Sequence, residues 1–430
     1  MGETTEYKLS DLFNLQMGKT PSRNNAEFWS DGEYKWISIA DLTKTGKYIS
    51  ETKELLSQKA IDESGIAVIP TNTVVMSFKL SIGKTAITSE DMYSNEAIMS
   101  FHDRHVTELL PEYIYYLLLA QRWDEGANKA VMGMTQNKAT LSNRKVRIHS
   151  IIAQKSIVER LDKLQKLIDD RKTQLDELET LIKARFVEMF GDPLAGTEKW
   201  SFQTVGDVAD SVDPQPSHRT PPVVEGGIPY VSMKDCNYKN GTIDFAGARK
   251  VSPDVLVEHH NRYELHNGDF IIGKIGTIGN PIFVPKRDDY ALSANVVLIQ
   301  PNSSKVSPYF LKETFESSFV ERQFLDAKNS TSQAAFGIKK VRNIKIMNPD
   351  MKTQMEFENF AIQVDKLKVE VQSIFLNCGS RSIFRYAQSI KGCKIEKYER
   401  RCSFDTKREC HRGNEKKWWI CYLSAIKSDC

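Results

Sequence analysis

Trp36-Ile37-Ser38-Ile39-Ala40-Asp41 returns as Tyr230-Val231-Ser232-Met233-Lys234-Asp235, 194 residues later. Pro21-Ser22 returns as Pro216-Ser217, Ile82-Gly83 as Ile278-Gly279, and Thr135-Gln136 as Ser332-Gln333. Asp162-Lys163-Leu164 returns as Asp365-Lys366-Leu367. The order is kept while the offset drifts from 194 to 203, as a duplicated module with small insertions requires. Two copies at so long a period exclude a solenoid. Two like modules imply two like binding sites and a ligand that is itself bipartite.

At 430 residues the chain has room for two or three domains. Its 40% apolar and 27% charged content is that of an ordinary globular protein. The longest apolar run, Tyr113 to Ala120, is too short to span a bilayer, and the first residues show no secretory pattern, so no membrane association is expected. Only Cys236 precedes residue 378, which points to a cytoplasmic location.

Residues 1–150 and 192–348 read as the two modules. Short β-rich runs such as Lys35–Ile39, Thr73–Phe78 and Val146–Ile148 alternate with turn signals, and a helix opens at Pro111 and again at Pro308. Each module is therefore expected to be α+β with a mainly antiparallel β part.

Between the modules, residues 151–191 read as one long helix. Ile157, Leu161, Leu164, Ile168, Arg171, Leu175, Leu178, Ile182, Arg185 and Met189 alternate spacings of four and three. Gly191-Asp192-Pro193 ends the helix. Such a helix extends roughly 50–60 Å at about 1.5 Å per residue. A second seam follows in residues 349–376: Phe357, Phe360, Val364, Leu367, Val371 and Ile374. One apolar seam needs another. The expected fold is thus two similar mainly-β modules separated by two long antiparallel coiled-coil helices.

The second seam stops about 15 residues short of its counterpart. Residues 377–430 then change composition in one step, to six cysteines, Trp418-Trp419, and 13 Lys/Arg against 6 Asp/Glu, with no periodicity. A shifted reading frame near residues 372–377 accounts for an irregular Cys-rich basic tail and a truncated second helix. A real basic segment that binds nucleic acid is the rival reading. The cysteine spacings do not match a typical zinc site.

Motifs for catalysis are wanting. Gly18-Lys19-Thr20 and Gly83-Lys84-Thr85 resemble the end of a phosphate-binding loop, but Phe13 and Phe78 stand where its first glycine must be. Asn348-Pro349-Asp350 lacks the aromatic residue of an adenine methyltransferase motif, and Glu51-Thr52-Lys53 is not repeated in the second module. His259, His260 and His266 have no equivalents in the first module and read as surface residues.

Three polar loops do recur in register. One carries Lys19, Ser22 and Arg23, answered by Ser217 and Arg219. Another carries Lys79 and Lys84, answered by Lys274 and Thr277. A third carries Gln136, Asn137 and Lys138, answered by Ser330, Thr331 and Gln333. Lys, Arg and hydroxyl groups beside glycine suit phosphate oxygens, and Arg, Gln and Asn can read base edges. Any one loop is explained by ordinary turn chemistry. Recurrence of all three favours a DNA-binding surface.

The chain resembles the specificity subunit of type I restriction–modification enzymes. The resemblance rests on Gly18-Lys19-Thr20-Pro21-Ser22-Arg23, Trp36–Asp41, the run from Gly268 to Gly279, the Thr-Gln turn before the last strand, and the helix after each module, over residues 7–376. It implies that each module is a target recognition domain reading one half of a split site in double-stranded DNA. It implies that the helices set the spacing and dock two methyltransferase subunits, with separate restriction subunits that translocate and cut. The chain itself would be non-catalytic and hold no cofactor, its partners using S-adenosylmethionine, ATP and Mg. The alternatives are a coiled-coil scaffold or a self-contained restriction enzyme fragment.

Overall fold

The computed structural model describes residues 4–375, except 122, 124–127, 131–132, 136, 216–218, 239–240, 275–277 and 330–336. The tail beyond 375, with its expected frameshift, lies outside the described residues. Two compact units are formed, one up to Asp169 and one from Asp170 to Ile374.

In the first unit a five-stranded sheet runs in the order Phe13–Met17, Ile98–Asp103, Val74–Ser77, Thr85–Thr88, Tyr48–Ile49. All of its pairings are antiparallel except the last. Val74–Ser77 is buried along its whole length, so its alternating side chains serve two cores. Val74 and Met76 join Tyr113, Leu117 and Leu118 of the helix Pro111–Leu119. Val75 joins Ile37, Ile49 and Ile98 on the other face. A three-stranded sheet places Tyr34–Ile37 antiparallel to Glu54–Leu56 and parallel to Tyr93–Ser94.

The second unit repeats this plan. Ala209–Val212, Val296–Pro301, Phe270–Gly273 and Gly279–Phe283 form an antiparallel sheet in that order. Phe270 and Ile272 enter one core and Ile271 another. Ile228–Val231 again lies antiparallel to one strand, Arg249–Val251, and parallel to another, Ala291–Leu292. Each module is closed by pairing its first strand with its last, Thr4–Lys8 with Lys145–His149 and Phe202–Thr204 with Lys345–Met347. The motif that exposed the repeat is a helix cap in both copies. Asp41 and Asp235 accept the backbone N–H groups of Ser38 and Ser232 at 2.8 and 2.9 Å, and their hydroxyls too.

The central helix runs from Ile151 to Phe190. No glycine or proline interrupts it. Gly191 stops it with φ of 85°, and a Cβ there would meet the Thr197 carbonyl oxygen at 2.1 Å, so only glycine fits. The distal helix runs from Met351 to Phe375. Asp350 caps it by accepting from the Thr353 N–H and hydroxyl, both at 2.9 Å, which holds the Asp350 carboxyl below its ordinary pKa.

Within the second unit the two helices run antiparallel: Phe186 and Phe190 meet Phe357 edge to face, while Lys368 pairs with Glu179 further along. The seam differs from the expected one. Phe186 and Phe190 are buried where Arg185 and Met189 were expected, and Arg185 lies over the Phe360 ring at the edge. On the distal helix Phe357, Ala361, Val364 and Val371 are buried, with Lys368 mostly covered. Leu367 is 49% exposed, so it leaves the interface. The physical reason is the second core: Ile182, Phe186, Phe190, Phe357, Ala361 and Val364 pack into the module itself, so a module face, as well as a helix partner, selects the buried stripe.

A buried glutamine joins each module to its helix. Gln154 and Gln354 are 0% and 1% exposed, each the fourth residue of its helix. Gln154 accepts from the Leu110 N–H at 3.0 Å and donates to the carbonyls of Glu108 and His149, both at 2.9 Å. Gln354 accepts from the Ser307 N–H at 2.9 Å and donates to the Pro349 carbonyl at 2.8 Å. Leu110 and Ser307 are the N-caps of the helices that begin at Pro111 and Pro308. This fixes the register between the copies at 200 residues, against the 203 that Asp162 and Asp365 imply. Phe357, Ala361 and Val364 then correspond in sequence to Ile157, Leu161 and Leu164, which pack into the first module's core.

Candidate nucleic-acid interface

The first module's leading polar loop is held by its own backbone. The Trp36 indole donates to the Lys19 carbonyl and the Trp29 indole to the Ser22 carbonyl, both at 3.1 Å. Ser22 is left exposed. Lys19 donates to the Ser64 carbonyl and Thr20 to Glu96. Arg23 lies 3.7 Å from the centre of the Trp29 ring and grips Glu54 through two bonds of 2.6 and 2.9 Å. The Glu54 carboxylate raises the Arg23 pKa, and Arg23 in turn holds Glu54 low. With 49% of its side chain exposed, Arg23 is a guanidinium pre-oriented on an aromatic surface.

Lys79 is half-buried over the Phe78 ring at 5.2 Å, and Lys84 donates to the Thr43 hydroxyl. Between them Gly83 takes φ of 92°, and its Cβ would strike Trp123 at 2.8 Å. Asn137 is the N-cap of the helix Lys138–Ser142, accepting from the Thr140 N–H and hydroxyl at 2.7 and 2.8 Å. That accounts for Asn137 structurally, while Lys138 beside it is exposed.

In the second module Lys274 is not a surface lysine. It is 4% exposed and paired with Asp213 at 2.6 Å. Its N–H donates to the Asn295 carbonyl at 2.9 Å, as the N–H of Phe78 does to Ala97. Lys274 therefore occupies the place of buried Phe78, not of Lys79. A buried ammonium demands a partner carboxylate, which explains Asp213. His259 is also buried, at 1% exposure, contrary to the surface reading. Its ring nitrogens meet the Tyr263 hydroxyl at 3.0 Å and the Gln215 side-chain oxygen at 2.7 Å. Burial, aided by Arg262 and His260, lowers its pKa to about 4, so it is neutral near pH 7. Lys274 and His259 thus anchor the chain at Asp213 and Gln215. Arg219, beyond that loop, is exposed. Gln136, Ser217, Thr277, Ser330, Thr331 and Gln333 lie outside the described residues.

Sequence reasoning missed the acidic partners Glu54, Glu96 and Asp213, because a carboxylate announces its ion pair only in three dimensions. Among the described residues no three His, Cys, Asp or Glu side chains converge as metal ligands. Nor is any described helix long and apolar enough to cross a membrane.

Comparison with known proteins gives this geometry a family. The family model described as type I restriction modification DNA specificity domain matches residues 1–180 and again 197–372. The chain is 26% identical over 189 residues to the type I restriction enzyme MjaIX specificity subunit of Methanocaldococcus jannaschii, covering 43% of each protein. It is 30% identical over 88 residues to the EcoprrI specificity subunit of Escherichia coli, covering 20% of this chain and 21% of that one. The chain thus spans less than half the length of either relative. Among solved structures, the S subunit of a type I restriction-modification system from M. genitalium superposes with a TM-score of 0.50 at 12% identity, over 90% of this chain and 95% of that one. A structure from work on assembly and conformational transition of the type I R-M system reaches 0.51 at 14% identity, over 90% and 96%. At such identities these two share the fold. With one match to each of its two modules, the chain belongs to the type I restriction modification DNA specificity domain family.

Proposed function

We propose that this chain is the non-catalytic specificity subunit of a type I restriction–modification complex, each module reading one half of a bipartite site in double-stranded DNA. The observation that carries the reading is the doubling: one module plan, closed by the same strand pairing and held to its long helix by the same buried glutamine, occurs twice. A reader of a single continuous site needs only one copy. A helix of about 50 Å covers roughly 15 base pairs at about 3.4 Å each. Tethering two weak readers makes the second contact intramolecular, which raises affinity by about 10²–10⁴. The helices would dock two methyltransferase subunits, which supply S-adenosylmethionine chemistry, while restriction subunits supply ATP- and Mg-dependent cutting.

The test is to purify the chain with its neighbouring modification subunit and map the adenines that become methylated. A split motif with a fixed gap is expected. A single continuous motif, or methylation that is the same without this chain, would overturn the proposal.

A further inference from the structure

A concavity of about 500 Å³ opens in the second module, lined by Ser211, Val212, Asp213, Asn261, Arg262, Ile338 and Arg342. Two guanidinium groups share it. Arg342 Nη2 donates to the Ser211 carbonyl at 3.1 Å, which aims one arginine along the wall. Arg262 makes no side-chain hydrogen bond or ion pair among the described residues, and both arginines are exposed. Asp213, the one acid on this wall, is already neutralised by Lys274 at 2.6 Å. Ser211 is 1% exposed, and its hydroxyl has no hydrogen-bond partner among the described residues. Among the described residues, the matching positions of the first module carry different side chains. By strand register apolar Leu15 corresponds to Ser211, and by position in the matching short helix Ser142 corresponds to Arg342.

The position is as telling as the chemistry. Asp213 lies two residues before Gln215 and Ile338 five residues after Gln333, so two of the polar loops expected to meet DNA leave from this wall. We infer that Arg262 and Arg342, with Asn261 beside them, seat one backbone phosphate of the duplex in the second module. The inference rests on the DNA-reading function proposed above. A phosphate contact fixes register without reading sequence.

The test uses the full chain assembled with its modification subunits, binding its own duplex across a series of KCl concentrations. For Arg262→Ala and for Arg262→Ala/Arg342→Ala, affinity falls roughly tenfold and the slope of log affinity against log salt shrinks by about 1. The methylated sequence stays the same, and Arg262→Lys/Arg342→Lys keeps the wild-type slope. The single Arg262 variant guards against misfolding, since it removes no internal hydrogen bond. An unchanged slope, or a changed target sequence, refutes the phosphate seat while leaving the DNA-reading function standing. Wild-type protein that shows no salt-dependent binding at all refutes both.

Discussion

The two modules meet their long helices at equivalent places with opposite chemistry. In the first, Tyr116 donates to Asp162 at 2.6 Å, and Lys47 closes on the same carboxylate at 2.7 and 2.9 Å. The ammonium also lies 5.1 Å from the Tyr116 ring centre. In the second, Glu313 stands where Tyr116 is, 6% exposed, with Lys312, Glu316, Glu179 and Lys183 acting on it. Burial pushes the Glu313 carboxyl up to about 7, with Glu316 and Glu179 adding to the effect against Lys312. Burial would raise Glu179 as well, but the Lys368 ammonium outweighs it and holds that carboxyl low. One duplicated junction is thus a satisfied neutral-and-ionic triad, the other a crowded ionic cluster. Duplication conserved the backbone plan and let the polar solution diverge.

The largest expected effect tests whether the second junction depends on its aromatic core more than on its charges. Phe357 is 0% exposed and touches Phe186 and Phe190, so Phe357→Ala costs about 3–5 kcal/mol. Ile157→Ala, at the matching half-buried position of the first module, costs less. Denaturant unfolding followed by hydrogen exchange separates the modules. Equal losses at both positions would mean that the two junctions are energetically alike.

The charged junction of the second module should respond to pH near neutrality. Glu313 has a folded-state pKa above its unfolded value, so the native state binds the proton more tightly. Its contribution is fully present below the ordinary glutamate pKa near 4.5 and is lost as pH rises through about 7. Module two therefore weakens over that window by on the order of 1–3 kcal/mol. Glu313→Gln flattens the dependence and stabilises the module above pH 7. A melting profile whose pH slope survives that substitution would remove Glu313 as its source.

The smallest effect separates the caps of one short helix in each copy. Asn137 caps Lys138–Ser142 with its side chain, whereas Gly337 caps Ile338–Arg342 without one. Asn137→Ala costs about 1 kcal/mol in the first module, and Gly337→Ala somewhat less, about 0.7 kcal/mol, in the second. Thermal shifts of the two variants read the difference directly; matching shifts would show that the Asn137 side chain contributes nothing as a cap.

The duplication, the mixed α and β character of both modules and the two long helices were legible in the chain alone. Repeated residue pairs and a heptad period are local, one-dimensional signals that survive without knowledge of neighbours. The buried stripe of the distal helix was less so. Phe360 and Ala361, or Leu367 and Lys368, sit side by side, and either phase satisfies a spacing of three and four. Only the packing of Phe186, Phe190 and Phe357 into a module core chose Ala361 and Lys368, the lysine stem covering apolar surface while its ammonium reaches Glu179.

The same division holds for the candidate interface. Composition and turn chemistry marked where polar loops recur, because glycine, proline and hydroxyl residues have backbone preferences that act locally. Which polar side chains remain available to a ligand was decided in three dimensions. Lys274 and His259 are drawn inside by long-range partners, Asp213 and Gln215, 61 and 44 residues away. Arg262 and Arg342 come to one wall from segments 80 residues apart. A sequence carries the period of its elements; the cost of burying charge and amide groups without partners, settled only when distant segments meet, assigns each polar residue to the interior or to the surface.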